Sequence, residues 1–267
     1  FISKHPEYVV VGSSSFIMDL AGNIKRIFSK PVDFKEILLW ILSDTPIIHG
    51  SVIYDREVIL ANGGYDENFM ICQDYELWSS LMRKGFRVTN IPDILVVIRH
   101  YTDSISFREQ DRQNIENGKI LLENIASLTT LKLSFEDALR QRLFFAMPDK
   151  LSMDNFKKAE DLFLKEYRNL CNESMLDQNS IRLDLKRKLV KPYCKMAIYM
   201  MRNGHFRETQ RTIRDYIVKY GISAMPLLIW VISYGGKNIF YKMLSFFEMW
   251  QSISAKYYYH AKRNPKS

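Results

Sequence analysis

Between positions 49 and 106 the side chains able to do chemistry come in a set order: His49-Gly50-Ser51, Gly63-Gly64-Tyr65-Asp66, Gln73-Asp74-Tyr75-Glu76 and Arg99-His100. Asp74 stands where apolar periodicity starts a helix, with Leu77, Trp78, Leu81 and Met82 on one face. A carboxylate at a helix head meets free N–H groups and the positive end of the dipole, which keep it ionised and fixed in direction. Two uses fit that placement, a plain N-cap or a base that takes the proton of a bound hydroxyl. Gly63-Gly64 lets backbone pass close to a ligand, with Tyr65 and Asp66 offering hydrogen bonds to its hydroxyls; the same glycine pair also stops a helix. His49 and Gly50 lie at a strand end, where they border a ligand or simply hold structure. The planar fork of Arg99 suits phosphate oxygens.

These residues need elements to position them. Tyr8-Val9-Val10-Val11 reads as a buried strand that gives way to a loop at Gly12 and the three serines after it. Phe16–Asp19 and Ile24–Phe28 flank Ala21-Gly22-Asn23 as a hairpin. Asp33 caps a helix with Glu36 three residues on, and Asp55 caps a short one that stops at Gly63-Gly64. The helix that begins near Asp74 ends at Gly85, and Phe86–Ile91 and Ile94–Ile98 read as two strands either side of Pro92. After Ser106 strand signals nearly vanish. Long helical periods replace them, such as Phe156, Ala159, Leu162, Phe163 and Tyr167 behind a cap at Ser152 or Asp154, punctuated by Lys191-Pro192, Gly204, Gly221 and Gly235-Gly236.

Composition draws the same boundary. Phe1–Ser106 carry 10 Lys+Arg against 13 Asp+Glu, whereas the remaining residues carry 28 against 17. The basic excess, gathered after Asp177, suits either solvated helix faces or an anionic partner. Scattered along helices with no recognised motif, it does not indicate nucleic acid. Three widely spaced cysteines give neither a disulfide framework nor a zinc site, which fits a reducing cytoplasm. The first ten residues already carry Lys4, His5 and Glu7, so no signal peptide is expected. Ile222–Ile232, broken by Pro226, falls short of the ~20 residues of a spanning helix.

In this order and spacing, His49-Gly50-Ser51-Val52, Gly63-Gly64-Tyr65-Asp66-Glu67, Gln73-Asp74-Tyr75-Glu76-Leu77-Trp78 and Arg99-His100 with Ser104-Ile105-Ser106 resemble the C-terminal half of the catalytic domain of family-2 glycosyltransferases. Lys4-His5-Pro6-Glu7 running into Val9-Val10-Val11-Gly12-Ser13 is similar to the stretch after that family's metal-binding Asp-x-Asp loop. The resemblance covers residues 1–106. It implies an α/β domain, part of a GT-A-like fold, followed over 107–267 by a basic, mostly α-helical region. It also implies transfer of a sugar, usually with inversion, from a nucleotide-diphosphate donor to the hydroxyl of a glycan or lipid-linked acceptor.

Asp74 matches the second position of the family's Glu/Gln-Asp motif and is the implied general base. His49, Gly50, Gly64, Tyr65, Asp66, Gln73 and Arg99 are the implied substrate contacts. His100 is the implied metal contact, offset by one residue because Tyr101 holds the family's His position when Arg99 is in register. No Asp-x-Asp is present, Asp19 and Asp33 being isolated. Mg²⁺ or Mn²⁺ would therefore be bound mainly by residues missing from this chain, and the chain is expected to be truncated at its N-terminus and inactive alone. The tail, with Ile239, Phe240, Met243, Leu244, Phe247, Trp250 and Ile253 beside lysines, suits an anionic membrane surface on the cytoplasmic side. The competing expectation is a non-catalytic scaffold built on a degenerate half-domain.

Overall fold

The computed structural model describes residues 1–100, 108–173, 178–221 and 223–234. The described residues divide into two compact units, one ending at Leu139 and the other beginning at Arg140. The boundary expected near Ser106 falls outside the described residues, and the first unit continues past it to Leu139.

A small mixed sheet forms the floor of the first unit. Its central strand β1 (Tyr8–Met18) pairs antiparallel with β2 (Ile24–Phe28) and with the two-residue β3 (Ile53–Tyr54), and parallel with β4 (Arg87–Arg99). The hairpin joining β1 and β2 turns through Gly22 at φ 86°, as expected. The loop expected at Gly12 is absent, because β1 runs straight through it. Non-local partners make this possible: the Ser13 N–H donates to Ser51 Oγ (3.0 Å), and the hydroxyls of Ser14 and Ser15 donate to Ser29 Oγ (3.1 Å) and the Phe28 carbonyl (3.5 Å). Gly12 is needed for close approach, since a Cβ there would lie 2.3 Å from Asn90 Oδ1. The Asn90 amide in turn donates to the carbonyls of Pro31 (2.6 Å) and Pro46 (3.0 Å).

The two strands expected around Pro92 are one strand. Pairing jumps from Ser13↔Ile91 to Ser14↔Ile94, so Pro92 and Asp93 are carried in an irregularity that costs the ladder no donor. Three helices cover the sheet. Asp33 Oδ1 caps α1 (Phe34–Trp40) through the N–H groups of Lys35 and Glu36, and Asp55 Oδ1 caps α2 (Arg56–Ala61) through those of Glu57 and Val58. The third, α3 (Gln73–Arg83), ends at Gly85 with φ 88°. Its face of Leu77, Trp78, Leu81 and Met82 packs with Ile37, Ile41, Ile47 and Val88 in the main core, where each large side chain contributes roughly 1.5–3 kcal/mol by burial.

A fourth helix, α4 (Gln110–Leu128), adds Ile120 to that core and locks α3 by polar contacts. Arg83 donates to Asn124 Oδ1 (2.8 Å) and to Glu76 (2.6 Å), while Asn124 Nδ2 donates to Ser79 Oγ (3.1 Å).

Beyond α4 the regular elements among the described residues are again helical: α5 (Phe135–Ala146), a 3-10 turn (Pro148–Lys150), α6 (Met153–Glu173), α7 (Gln178–Arg202), α8 (Phe206–Tyr220) and α9 (Ala224–Tyr234). The Ser152 hydroxyl accepts from the Asn155 N–H (3.2 Å) as the cap of α6, whose stripe of Phe156, Ala159, Phe163 and Tyr167 is fully buried. Ring contacts continue that core from Phe144 to Phe156 (4.7 Å), Tyr193 (5.1 Å) and Tyr216 (5.1 Å). Lys191-Pro192, expected to punctuate, lies inside α7. Pro192 removes one N–H from the helix ladder, but the buried side chains of Tyr193, Met196 and Ala197 carry the helix through. Gly204 and Gly221 end their helices at φ 83° and 87°. Gly235-Gly236 and the expected terminal amphipathic helix lie outside the described residues.

Candidate functional site

Asp74 is the second residue of α3, half-buried, and its Oδ1 accepts the N–H of Tyr75 (2.8 Å). The position before the helix, Cys72, supplies no side-chain cap, so Asp74 lies in the first turn rather than in the capping position. Burial pushes its carboxyl above the usual carboxylate range. The Tyr75 N–H and a charge on His49 oppose this rise, and Asp44 adds to it. The helix-head position therefore does not leave the carboxylate strongly acidic, as dipole reasoning alone suggests. A half-buried carboxylate with a raised pKa holds a proton more readily than an exposed one, the property a base needs.

The chain brings His49 and Tyr65 to the same place. His49 opens a single 3-10 turn (His49–Ser51), held by Ser51 Oγ, which donates to the Ile48 carbonyl (2.8 Å). Its ring meets Tyr65 edge-on at 6.1 Å and lies 5.9 Å from the buried ring of Trp78. Trp78 is core, fully buried on the apolar face of α3, and its ring also lies 6.2 Å from Tyr54. The Tyr65 hydroxyl is shifted upward by partial burial and by the charges of Tyr54 and Asp74. His49, Gly50 and Tyr65 are exposed, so this rim of aromatic and polar groups opens to solvent beside Asp74. Tyr54 and Asp44 join the group without having been singled out from sequence. Tyr54 carries a weak signal, as a solvent-facing aromatic at the end of a short strand.

The remaining sequence candidates are used locally. Gly63 and Gly64 adopt φ 99° and 68°, and their N–H groups donate to the carbonyls of Leu60 (3.2 Å) and Ile59 (3.0 Å), so the pair ends α2. A Cβ at Gly50, Gly63 or Gly64 would meet nothing within 4 Å, so only backbone conformation calls for the latter two. Asp66 Oδ1 accepts from the backbone N–H (2.9 Å) and side-chain amide (2.8 Å) of Asn68 in an exposed turn. Gln73, its amide oriented so that the nitrogen donates, reaches the carbonyls of Met70 (3.1 Å) and Ile71 (3.2 Å). Arg99 and His100 are exposed at the end of β4, where the His100 N–H donates to the Met18 carbonyl (2.8 Å). No described contact joins either side chain to Asp74. Among the described residues no group of three or more His, Cys, Asp or Glu side chains could hold a metal ion.

Proteins related to this chain are glycosyltransferases. The amylovoran biosynthesis glycosyltransferase AmsE of Erwinia amylovora is 24% identical over 168 residues, which are 62% of this chain and 59% of the relative. An uncharacterized glycosyltransferase of Haemophilus influenzae is 31% identical over 111 residues, 40% of each protein. The bifunctional glycosyltransferase pgtA of Dictyostelium discoideum is 35% identical over 85 residues, 30% of this chain and 11% of the relative. No family model matches the chain. No solved structure matches it either. The chain thus spans about three-fifths or less of the length of these relatives, and its likeness to them is modest in identity and partial in coverage.

Proposed function

We propose that this chain is the acceptor-side part of a family-2-type, GT-A-like glycosyltransferase with Asp74 as its general base. The observation that carries this reading is the Asp74 carboxylate, half-buried with a raised pKa and bonded to the Tyr75 N–H, on a rim shared with His49 and Tyr65. In the proposed reaction the acceptor hydroxyl gives its proton to Asp74 as its oxygen bonds to the anomeric carbon of the donor sugar. The bond from that carbon to the diphosphate oxygen breaks, and the nucleoside diphosphate leaves with the electron pair. Attack from the face opposite the leaving group inverts the anomeric centre. Tyr65 and His49 are assigned to sugar hydroxyls and Arg99 to the diphosphate, where a guanidinium offsets developing charge.

The donor-binding half, with most ligands of a divalent metal, is assigned to sequence outside this chain, in keeping with its partial coverage of the relatives. One relative is named for amylovoran biosynthesis, and a glycan or lipid-linked acceptor for this chain accords with that name. Calorimetry with UDP-glucose, UDP-galactose and UDP-N-acetylglucosamine plus Mn²⁺ tests this division. The chain alone should show no metal-dependent binding, and the full-length enzyme should. Tight, metal-dependent binding by the chain alone would overturn the division.

The proposed location is the cytoplasmic face of an anionic membrane. Arg207, Arg211 and Arg214 lie at helical spacing on one face of α8, exposed, opposite the buried Thr209, Thr212, Ile213 and Tyr216. They make no ion pair among the described residues. Each cation near an anionic surface adds about 1 kcal/mol. No helix of the described residues is long and apolar enough to cross a membrane.

A further inference from the structure

Just before Asp74, three successive backbone N–H groups converge on one side chain from another helix. Met70 donates to Glu116 Oε1 (3.2 Å), and Ile71 and Cys72 donate to Glu116 Oε2 (2.8 and 2.9 Å). Glu116 comes from the second turn of α4, 42 positions after Asp74, and is only 4% exposed. Its Oε1 also accepts from Arg112 Nε (3.0 Å), one turn earlier on α4.

A carboxylate this deep is costly unless its lone pairs are filled, and here four N–H groups fill them. Burial alone would raise the Glu116 pKa, but the N–H groups of Ile71, Cys72 and Met70, with Arg112, outweigh it and hold the carboxyl below its usual range. The same turn is gripped from its other side. Gln73 donates to the carbonyls of Met70 and Ile71, and Cys72 Sγ to the Gln113 carbonyl (3.5 Å). The N–H of Cys72, the residue before α3, and those of the two residues preceding it therefore depend on a carboxylate far away in sequence.

We propose that Glu116 is a positioning residue for Asp74: its carboxylate clamps the turn Met70–Cys72 and so fixes where the first turn of α3 presents the candidate base. This rests on the reading of Asp74 as the base. The alternative is a cap that stabilises α3 without governing Asp74. The two differ in what happens to Asp74 when the clamp is weakened. A cap lost without consequence for Asp74 leaves its environment intact, whereas a lost clamp lets the first turn shift and water reach the carboxyl.

The test uses the whole chain, isotope-labelled, as wild type, Glu116→Gln and Arg112→Ala. Amide exchange is followed at Met70, Ile71 and Cys72, and the Asp74 side-chain carbon is titrated by NMR. In Glu116→Gln the three amides should exchange roughly tenfold or more faster while α6 amides stay unchanged. The Asp74 midpoint should fall toward ordinary carboxylate values as burial is lost. Arg112→Ala, which leaves the three N–H bonds in place, should move both readouts the same way by less, and keeps the test available if Glu116→Gln does not fold. Freed amides with an unmoved Asp74 midpoint would make Glu116 a cap only, and unmoved amides would remove the clamp itself. Either result overturns the proposal. Wild-type sugar transfer by full-length Asp74→Asn would instead overturn the base reading, while leaving the exchange result standing.

Discussion

Glu160 in the helical unit and Asp74 at the head of α3 are both carboxylates withdrawn from bulk water, but their acceptor oxygens are used differently. Glu160 is fully buried, with one oxygen accepting the hydroxyls of Tyr193 (2.8 Å) and Tyr220 and the other the Lys219 ammonium (3.0 Å). Burial and the Glu160 charge push both tyrosine hydroxyls well above their usual range, so they stay protonated donors. Asp74 has the Tyr75 N–H and a rim open to solvent. A carboxylate whose acceptors are all taken by its own fold is structure. One left with spare acceptor capacity beside exposed polar and aromatic groups is available to a ligand.

Of the stability changes, the biggest is expected in the helical unit. Glu160→Ala strands two buried hydroxyls and a lysine and should lower the unfolding free energy by about 3 kcal/mol or more, read by urea denaturation. A loss under about 1 kcal/mol would mean that Glu160 is not spent as described. On the other side, His49→Ala in the full-length enzyme should slow transfer by about two- to tenfold, the worth of one hydrogen bond. The same change should move the Asp74 titration midpoint upward, since a charge on His49 favours the ionised form. A midpoint that falls would put His49 outside the site.

A smaller effect belongs to the basic face of α8. Arg211→Gln should weaken binding to phosphatidylglycerol vesicles by about 1 kcal/mol at low salt and by less at high salt, measured by co-sedimentation. Equal, salt-insensitive binding of both proteins would leave that face as plain solvated surface. The smallest effect is on stability and has a definite sign. Because the folded-state pKa of Asp74 is raised, its contribution to stability is present below the unfolded carboxylate pKa and is lost as pH rises through the folded value. Asp74→Asn should therefore unfold no more easily than wild type at pH 7, with any advantage shrinking as the pH is lowered toward that range. Scanning calorimetry across pH measures this.

Sequence patterns were most informative where structure is local. Asp33, Asp55 and Ser152 cap their helices, Gly22 turns its hairpin, and the Leu77-Trp78-Leu81-Met82 face of α3 is buried as its spacing requires. They misled where distant partners decide. Gly12 and its serines read as a loop because no local signal reports that Asn90, Ser51 and Ser29 will receive them. Pro92 and Pro192 read as breaks because a ladder irregularity and a buried helix flank are properties of the packed chain. Within the site, order and spacing pointed to Asp74, His49 and Tyr65, which the fold brings together. Glu116 was invisible for the same reason as the serines: its value lies in three N–H groups 44 to 46 residues away.

The proposed role of Asp74 as proton acceptor is decided by full-length Asp74→Asn, with transfer rate and melting temperature measured at pH 7 on the same preparation. The rate should fall ~10²- to 10⁴-fold with no loss of thermal stability. Near-normal turnover by the stable mutant would contradict that role.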